Sequence, residues 1–178
     1  MGRRKRLTAE AFPGGSQIFK EAGLPGRPKS TSLTSLYITG GQHRPMGLKA
    51  REEWATFQRG VILRVDLERG SVERCVEYIT PPDACLKDSS ITFEGGVVQG
   101  DRLYTCTRTE ALVYQIPQLA LLEHVSLPCF NDVHHVRPSK DGNLIVTSTG
   151  LDMVVETTFD GKIQREWGVL GESPWVRF

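Results

Sequence analysis

The residues best suited to chemistry lie in two stretches of the chain, one at Glu94 and one at the adjacent pair His134 and His135. A carboxylate and an imidazole could share a divalent cation, calcium or zinc, and a neutral imidazole could act as a general base near pH 7. Asn131 and Asp132 precede the two histidines and could add oxygen ligands. We therefore predict a metal site at His135, Glu94 and Asp132, with His134 and Asn131 as ligand-binding residues.

Each of these residues also has a purely structural interpretation. Neighbouring residues on a strand point to opposite faces, so at most one of His134 and His135 faces a site. The other would be a core histidine bonded to nearby backbone. Glu94 could simply end a strand before a turn, and Asp132 could cap the turn that precedes its own strand.

Short apolar segments separated by polar or glycine turns fill the chain from residue 31 onward, which predicts an all-β fold. Wholesale disorder is excluded, because 39% of the residues are hydrophobic and 24% are charged. The predicted strands are Ser35–Thr39, Gly60–Asp66, Ser71–Thr80, Ser90–Glu94, Arg102–Thr107, Ala111–Ile116, Ala120–Leu127, Asp132–Arg137, Asn143–Ser148, Met153–Phe159 and Lys162–Trp167.

One strand pattern occurs three times, at residues 36–39 (LYIT), 103–106 (LYTC) and 144–147 (LIVT). The second and third copies begin 41 residues apart, and each copy is followed by a second apolar strand and a turn. A repeat of about 40–45 residues with four short strands is typical of a β-propeller blade. Shifting by this repeat places Glu94 opposite His135, which is why the two could share a cation at the mouth of a central channel.

Three such units fit the chain, at residues 31–80, 88–128 and 129–171. Closed propellers have at least four blades. The expected fold is therefore an incomplete ring of about three four-stranded antiparallel sheets. It could be a fragment, a half-ring that pairs with another copy or chain, or an open stack with two uncovered apolar faces.

The first unit contains an insertion, residues 40–59, with one predicted helix over 48–58. Insertions of this length are often lids or binding loops, and a packing role is the equal alternative. His43 lies in this insertion beside Arg44 and could reach over the channel mouth. We include His43 among the candidate ligand-binding residues.

Residues 1–30 form a basic leader rich in proline and glycine, with seven Lys and Arg against two Glu. The rest of the chain has 15 basic and 19 acidic residues, a mildly acidic body. We interpret the leader as a solvated tail, so nucleic acid is not an expected partner. No apolar run approaches ~18 residues, so no membrane span is predicted. The four cysteines show no metal-binding spacing and indicate reduced thiols in a cytoplasmic protein, with one disulfide as the alternative.

Residues 130–167 (FNDVHHVRPSKDGNLIVTSTGLDMVVETTFDGKIQREW) resemble a blade of the NHL-like and gluconolactonase-like propeller superfamily, of the six-bladed type. Residues 93–95 (FEG) followed by 100–104 (GDRLY) are similar to the gluconolactonase signature, in which the Glu binds a divalent cation. The usual proline after Glu-Gly is replaced in this sequence by Gly96. The resemblance implies a propeller that is a metal-dependent lactonase, a lyase or a pure binding domain.

From these observations we predict a propeller-type domain that binds a small-molecule ligand and has a divalent-metal site at the channel mouth. The first alternative is a metal-assisted hydrolase or lactonase on the same scaffold. The second is an assembly module whose open blade faces pair with another chain.

Overall fold

A computed structural model describes residues 34–45, 56–85, 89–169 and 171. The described chain is all-β and forms three successive antiparallel sheets, with one short 3-10 helix at Thr149–Leu151. The first sheet contains β1 (Ser35–His43), β2 (Phe57–Asp66) and β3 (Ser71–Tyr78). The second contains β4 (Gly96–Gln99), β5 (Arg102–Cys106), β6 (Ala111–Gln115) and β7 (Ala120–Val125). The third contains β8 (Val133–Pro138), β9 (Leu144–Ser148), β10 (Met153–Thr157) and β11 (Ile163–Gly168).

In every sheet each strand pairs with the strand that follows it along the chain. This up-and-down order, in three consecutive open sheets, is the architecture of propeller blades. The all-β prediction is confirmed. The second and third sheets have the expected four strands, and the first has three in the described residues.

One predicted strand is wrong in position, and the predicted helix is wrong at its last two residues. Residues 90–94 form no strand and make only one isolated bridge, between Ile91 and Gln58. The first strand of the second sheet is instead β4, which begins at Gly96. The predicted helix lies mostly outside the described residues, and its last two positions, Phe57 and Gln58, belong to β2. The predicted leader, residues 1–30, also lies outside them.

The repeated segments occupy equivalent places. Residues 103–106 lie in β5 and residues 144–147 in β9, the second strands of their sheets, and residues 36–39 lie in β1. Each pairs with the apolar strand that follows it. The turns before β5 and β9 contain Gly100 and Gly142 at φ 62° and 81°, a conformation in which glycine avoids the strain of a side chain.

Two hydrophobic cores alternate with the three sheets. Between the first and second sheets, Ile62 packs with Leu103, Leu112 and Tyr114. Between the second and third sheets, side chains from the opposite face of the second sheet pack against β8, β9 and β10. Because successive strand residues alternate between faces, the second sheet is apolar on both sides and is buried on both.

A buried carboxylate joins the first two sheets. The side chain of Glu110 is 0% exposed and accepts hydrogen bonds from the hydroxyls of Tyr78 (2.6 Å), Thr80 (2.7 Å) and Thr107 (2.6 Å). The ring of His124 lies 2.8 Å from it through Nε2. Tyr78 ends β3 of the first sheet, whereas Thr107 follows β5 and His124 lies on β7 of the second. These partners offset the cost of burying the carboxylate. We call this set the Glu110 cluster.

The described residues contain no helix that is long and apolar enough to cross a membrane. All four cysteines are free, and two of them, Cys106 and Cys129, are buried.

Replacing Glu110 with alanine should lower the free energy of unfolding by about 3 kcal/mol, because the three hydroxyls and His124 lose their partner and a cavity remains. Urea unfolding followed by circular dichroism measures this change. Glu68→Ala, in the exposed turn after β2, is the matched control and should change the unfolding free energy by less than about 0.5 kcal/mol. Equal effects of the two substitutions would contradict the role of the Glu110 cluster.

The Glu110 cluster also predicts a loss of stability at alkaline pH. Burial, followed by the hydrogen bond to Glu110, raises the pKa of Tyr78 well above its ordinary value. Above pH ~10 the unfolded chain releases the Tyr78 proton while the folded chain retains it. The stability advantage of the wild type over Tyr78→Phe should therefore be full below pH ~10 and shrink as the pH rises above it. Urea unfolding of both proteins at pH 8 to 11 tests this, and a constant difference would refute it.

Candidate functional site

The entrance to β8 is held in an unusual backbone conformation. Asp132 has a φ of 53°, in the left-handed region that aspartate tolerates better than most residues. Its carbonyl oxygen accepts hydrogen bonds from the hydroxyl (2.5 Å) and the backbone N–H (3.2 Å) of Thr149. The neighbouring carbonyl of Asn131 accepts one from the N–H of Gly150 (3.0 Å). The loop after β9 thus fixes the direction of the Asp132 side chain, and strained positions of this kind are common at functional sites.

The start of β8 contains an irregular step at His134. Val133 pairs with Ser148 and His135 pairs with Thr147, so His134 is the extra residue of a β-bulge. A bulge turns a side chain away from the regular alternation. The side chain of His134 is 51% exposed and lies between two carboxylates. Its Nε2 is 3.3 Å from an oxygen of Asp132, and its Nδ1 is 4.0 Å from an oxygen of Glu94.

Backbone contacts place Glu94 at a junction of all three sheets. Its N–H donates to the carbonyl of Cys106 in β5 (2.9 Å), and its carbonyl accepts from the hydroxyl of Thr39 in β1 (2.8 Å). The next residue, Gly95, donates its N–H to the carbonyl of His134 in β8 (3.4 Å). The Glu94 side chain, 23% exposed, is therefore carried by irregular backbone that every sheet contacts.

The structure brings Glu94, Asp132 and His134 together, whereas the 41-residue shift pairs Glu94 with His135. The half-buried His135 ring packs against Gly95: a Cβ added there would lie 3.3 Å from Nδ1 of His135. Asn131 lies beside Asp132 on the wall of the cavity described below. His43 is exposed at the end of β1, with its ring centroid 4.5 Å from that of Phe57, and does not line that cavity.

The geometry does not fit a cation held by three side chains. In the part of the chain that the structure describes, no group of three or more His, Cys, Asp or Glu converges on one point. Glu94 and Asp132 approach opposite nitrogens of the His134 ring, whereas a metal would take only one of them. The predicted site at His135, Glu94 and Asp132 stays a prediction that would need further ligands.

A cavity of about 320 Å³ lies beside this group, and Asp132 is part of its wall. It is bounded by Thr80, Cys85, Ser89 and Ser90, by the loop joining β5 to β6, and by the entrance to β8. Most of its lining residues contain a polar group, but the surface that they present to the cavity is mostly apolar. The lining residues are Thr80, Cys85, Ser89, Ser90, Thr107, Arg108, Thr109, Asn131 and Asp132.

Two sets of contacts shape the cavity wall. The Glu110 cluster holds Thr80 and Thr107 on one side. On the other side Nε of Arg108 lies 3.7 Å from an oxygen of Asp132, and the carbonyl of Arg108 accepts a hydrogen bond from the N–H of Val133 (2.9 Å). Asp132 is therefore the residue shared by the cavity and the histidine group.

Sequence reasoning missed the loop at residues 107–110 (TRTE). The only signal for it was a short polar run between two strands that are apolar on both faces. That run contains Thr107 and Thr109, the Arg108 that pairs with Asp132, and the buried Glu110.

The cysteines near the site are poor nucleophiles. Burial raises the pKa of the Cys106 thiol to about 12, and its Sγ lies 3.9 Å from the carbonyl oxygen of Val133. Burial also raises the pKa of Cys85, which lines the cavity. Because the thiolate is the reactive form, the site does not support thiol chemistry at neutral pH.

Comparison with solved structures gives distant likenesses. No family model matches the sequence, and no curated protein shows significant sequence similarity to it. Among solved structures, the chain is similar to selenomethionine-substituted virginiamycin B lyase from Staphylococcus aureus, with 17% sequence identity and a TM-score of 0.41. The similarity covers 75% of this chain and 45% of the lyase, so the chain spans less than half of that protein. A likeness at this level says nothing about which residues act or on what.

Thiol labelling tests the burial and the raised pKa of the Cys106 thiol. At pH 8, iodoacetamide should leave Cys106 unmodified in the native protein, because a pKa of about 12 leaves only ~0.01% thiolate and the thiol is buried. Partly exposed Cys75 should be modified first, which provides an internal control. Peptide mass spectrometry reads both sites, and urea should make Cys106 reactive. Rapid native labelling of Cys106 would contradict this account of the site.

Proposed function

We propose that the chain is a propeller-type ligand-binding domain, and that its ligand is a small, uncharged molecule with an apolar body and a few hydrogen-bonding groups. The observation that carries the proposal is the 320 Å³ cavity whose wall shares Asp132 with the Glu94–His134 group. The resemblance of residues 130–167 to NHL-like and gluconolactonase-like blades supports the same class of protein.

The cavity chemistry supports this ligand class. The hydroxyls of Thr80 and Thr107 donate to Glu110, so the surface of the wall is mostly apolar. Its charged and amide groups lie at Arg108, Asn131 and Asp132, and the paired Arg108 and Asp132 leave little net charge. The volume lies at the lower end of the ~300–1,000 Å³ typical of ligand pockets. A compact molecule with an apolar body and one or two hydroxyl or carbonyl groups fits these constraints better than a phosphate or an extended chain.

Three side chains of the wall, those of Arg108, Asn131 and Asp132, can form hydrogen bonds with a ligand. Arg108 can donate to a ligand carbonyl, and Asp132 can accept from a ligand hydroxyl. Asn131 can do both. The rigid backbone around Asp132 means that little ordering would be needed when the ligand binds.

A hydrolase is the second candidate, and the position of His134 favours it. An exposed imidazole between two carboxylates can remove a proton from water at one nitrogen while a carboxylate orients the other. An ester or lactone would be the matching substrate. Calcium or zinc at Glu94, Asp132 and His135 belongs to this candidate as a prediction, and the proton transfer to His134 does not depend on it.

A ligand-observed NMR screen against small polyols, amides and lactones tests both candidates. We expect at least one compound to bind, and Asp132→Asn to weaken its binding at least tenfold, because a charged hydrogen bond contributes about 1.5–3 kcal/mol. Asn at position 132 keeps the size of the side chain and tolerates positive φ. Asp141→Asn, in the exposed turn before β9, is the matched control and should leave the affinity unchanged.

The same spectra separate the candidates. Lactone or ester turnover that His134→Gln abolishes would establish the hydrolase, whereas binding without turnover would establish the binding domain. Equilibrium dialysis with Ca²⁺ and Zn²⁺ tests the cation independently. If no compound in the panel binds, or if Asp132→Asn and Asp141→Asn act alike, the cavity is not the binding site.

A further inference from the structure

Strand registers show that each sheet has two different faces. In the first sheet, Thr39, Ile62 and Val76 form one cross-strand row, and the equivalent row in the second sheet is Cys106, Ala111 and Val125. In both of these sheets the row faces the next sheet along the chain. We call the face containing it the trailing face, and the opposite face of the same sheet the leading face.

The leading faces of the second and third sheets are buried against the preceding sheet. Leu103 and Leu112 are 2% and 0% exposed in the second sheet, and Leu144 and Val155 are both 0% exposed in the third. By register, the equivalent residues of the first sheet are Leu36, Ile38, Leu63 and Val65. The leading face of the first sheet is therefore aliphatic. The described residues do not cover it, since Leu36 is 44% and Ile38 is 45% exposed.

The trailing face of the third sheet is the other uncovered surface. Trp167, which pairs with Val154, occupies the place of Val76 and of the buried Val125, yet it is 45% exposed. A groove of about 470 Å³ runs beside Trp167 and Ile145. This exposed aromatic side chain therefore stands at a position that is packed between sheets elsewhere in the molecule.

Charges on this trailing face do not prevent another sheet from packing there. Glu156 pairs across strands with Arg165, and by register the equivalent pair in the first sheet is Arg64 with Glu73. The first sheet's trailing face carries that ion pair and still packs against the second sheet. The third sheet's trailing face is thus built like one that already receives a neighbour.

We propose that a second copy of this chain covers both surfaces. The trailing face of the third sheet in one copy packs on the leading face of the first sheet in the other, and the same contact recurs by twofold symmetry. Both complementary faces belong to the same chain, and each repeats a packing seen between its own sheets. The described residues of two copies supply six sheets, within the four to eight blades of closed propellers, whereas those of one copy supply three.

Multi-angle light scattering of the full chain tests this head-to-tail pairing. The expected mass is twice the 19.8 kDa of one chain at micromolar concentration. Ile38→Glu, on the leading face, and Trp167→Glu, on the trailing face, should each convert the dimer to a monomer. Leu122→Glu, at a 41% exposed position on β7 of the middle sheet, is the matched control and should remain dimeric.

Mixing the two monomeric variants makes the test specific. Each retains the face that the other lacks, so the mixture should regain a species of twice the chain mass, while each variant alone should not. Native circular dichroism spectra would show that the variants fold. A monomeric wild type, or a dimer that only Ile38→Glu dissociates, would overturn the head-to-tail pairing. A ladder of larger masses would overturn closure by two copies.

Discussion

The carboxylate of Glu110, buried between two sheets, is the interaction on which the rest of the site depends. It satisfies hydroxyls from the first sheet's end and from the second sheet's β5–β6 loop, and so fixes the distance between them. Two of those residues, Thr80 and Thr107, also line the cavity. A buried charge of this kind is costly unless every partner is present. The same contacts that make burial of Glu110 tolerable therefore hold the cavity open at a defined width.

The candidate site is formed where the three sheets meet and does not belong to any one strand. Glu94 and Gly95 carry no regular structure, yet their backbone bonds to β1, β5 and β8 in turn. Asp132 is held from the side by the loop after β9. The rigid sheets around this irregular backbone thereby position its functional side chains. This arrangement, with functional residues on loops and a rigid scaffold beneath them, is common in proteins.

Much of the fold could be predicted from the sequence, because turn residues and apolar runs mark most of the strands. The prediction failed at residues 90–94, where Ile91 and Phe93 are buried by packing and not by strand pairing. Within the site, Glu94, Asp132 and the His pair were found by residue type and repeat spacing. The position of the His134 ring between Glu94 and Asp132 could not be predicted from sequence, since a fixed repeat shift contains no bulge. The role of Glu110 depends on contacts between sheets, which no local pattern encodes.

The double coverage of the middle sheet has a consequence for tolerance to mutation. On β5 and β6 successive residues are buried on alternate sides, so no position in the centre of either strand is free to become polar. Within a single copy, β1 is partly exposed and β11 is exposed over most of its length, so both carry less of that constraint until a second copy covers them. Polar substitutions should therefore be tolerated least on β5 and β6, and in a separated copy the loss of order on heating should reach these two strands last.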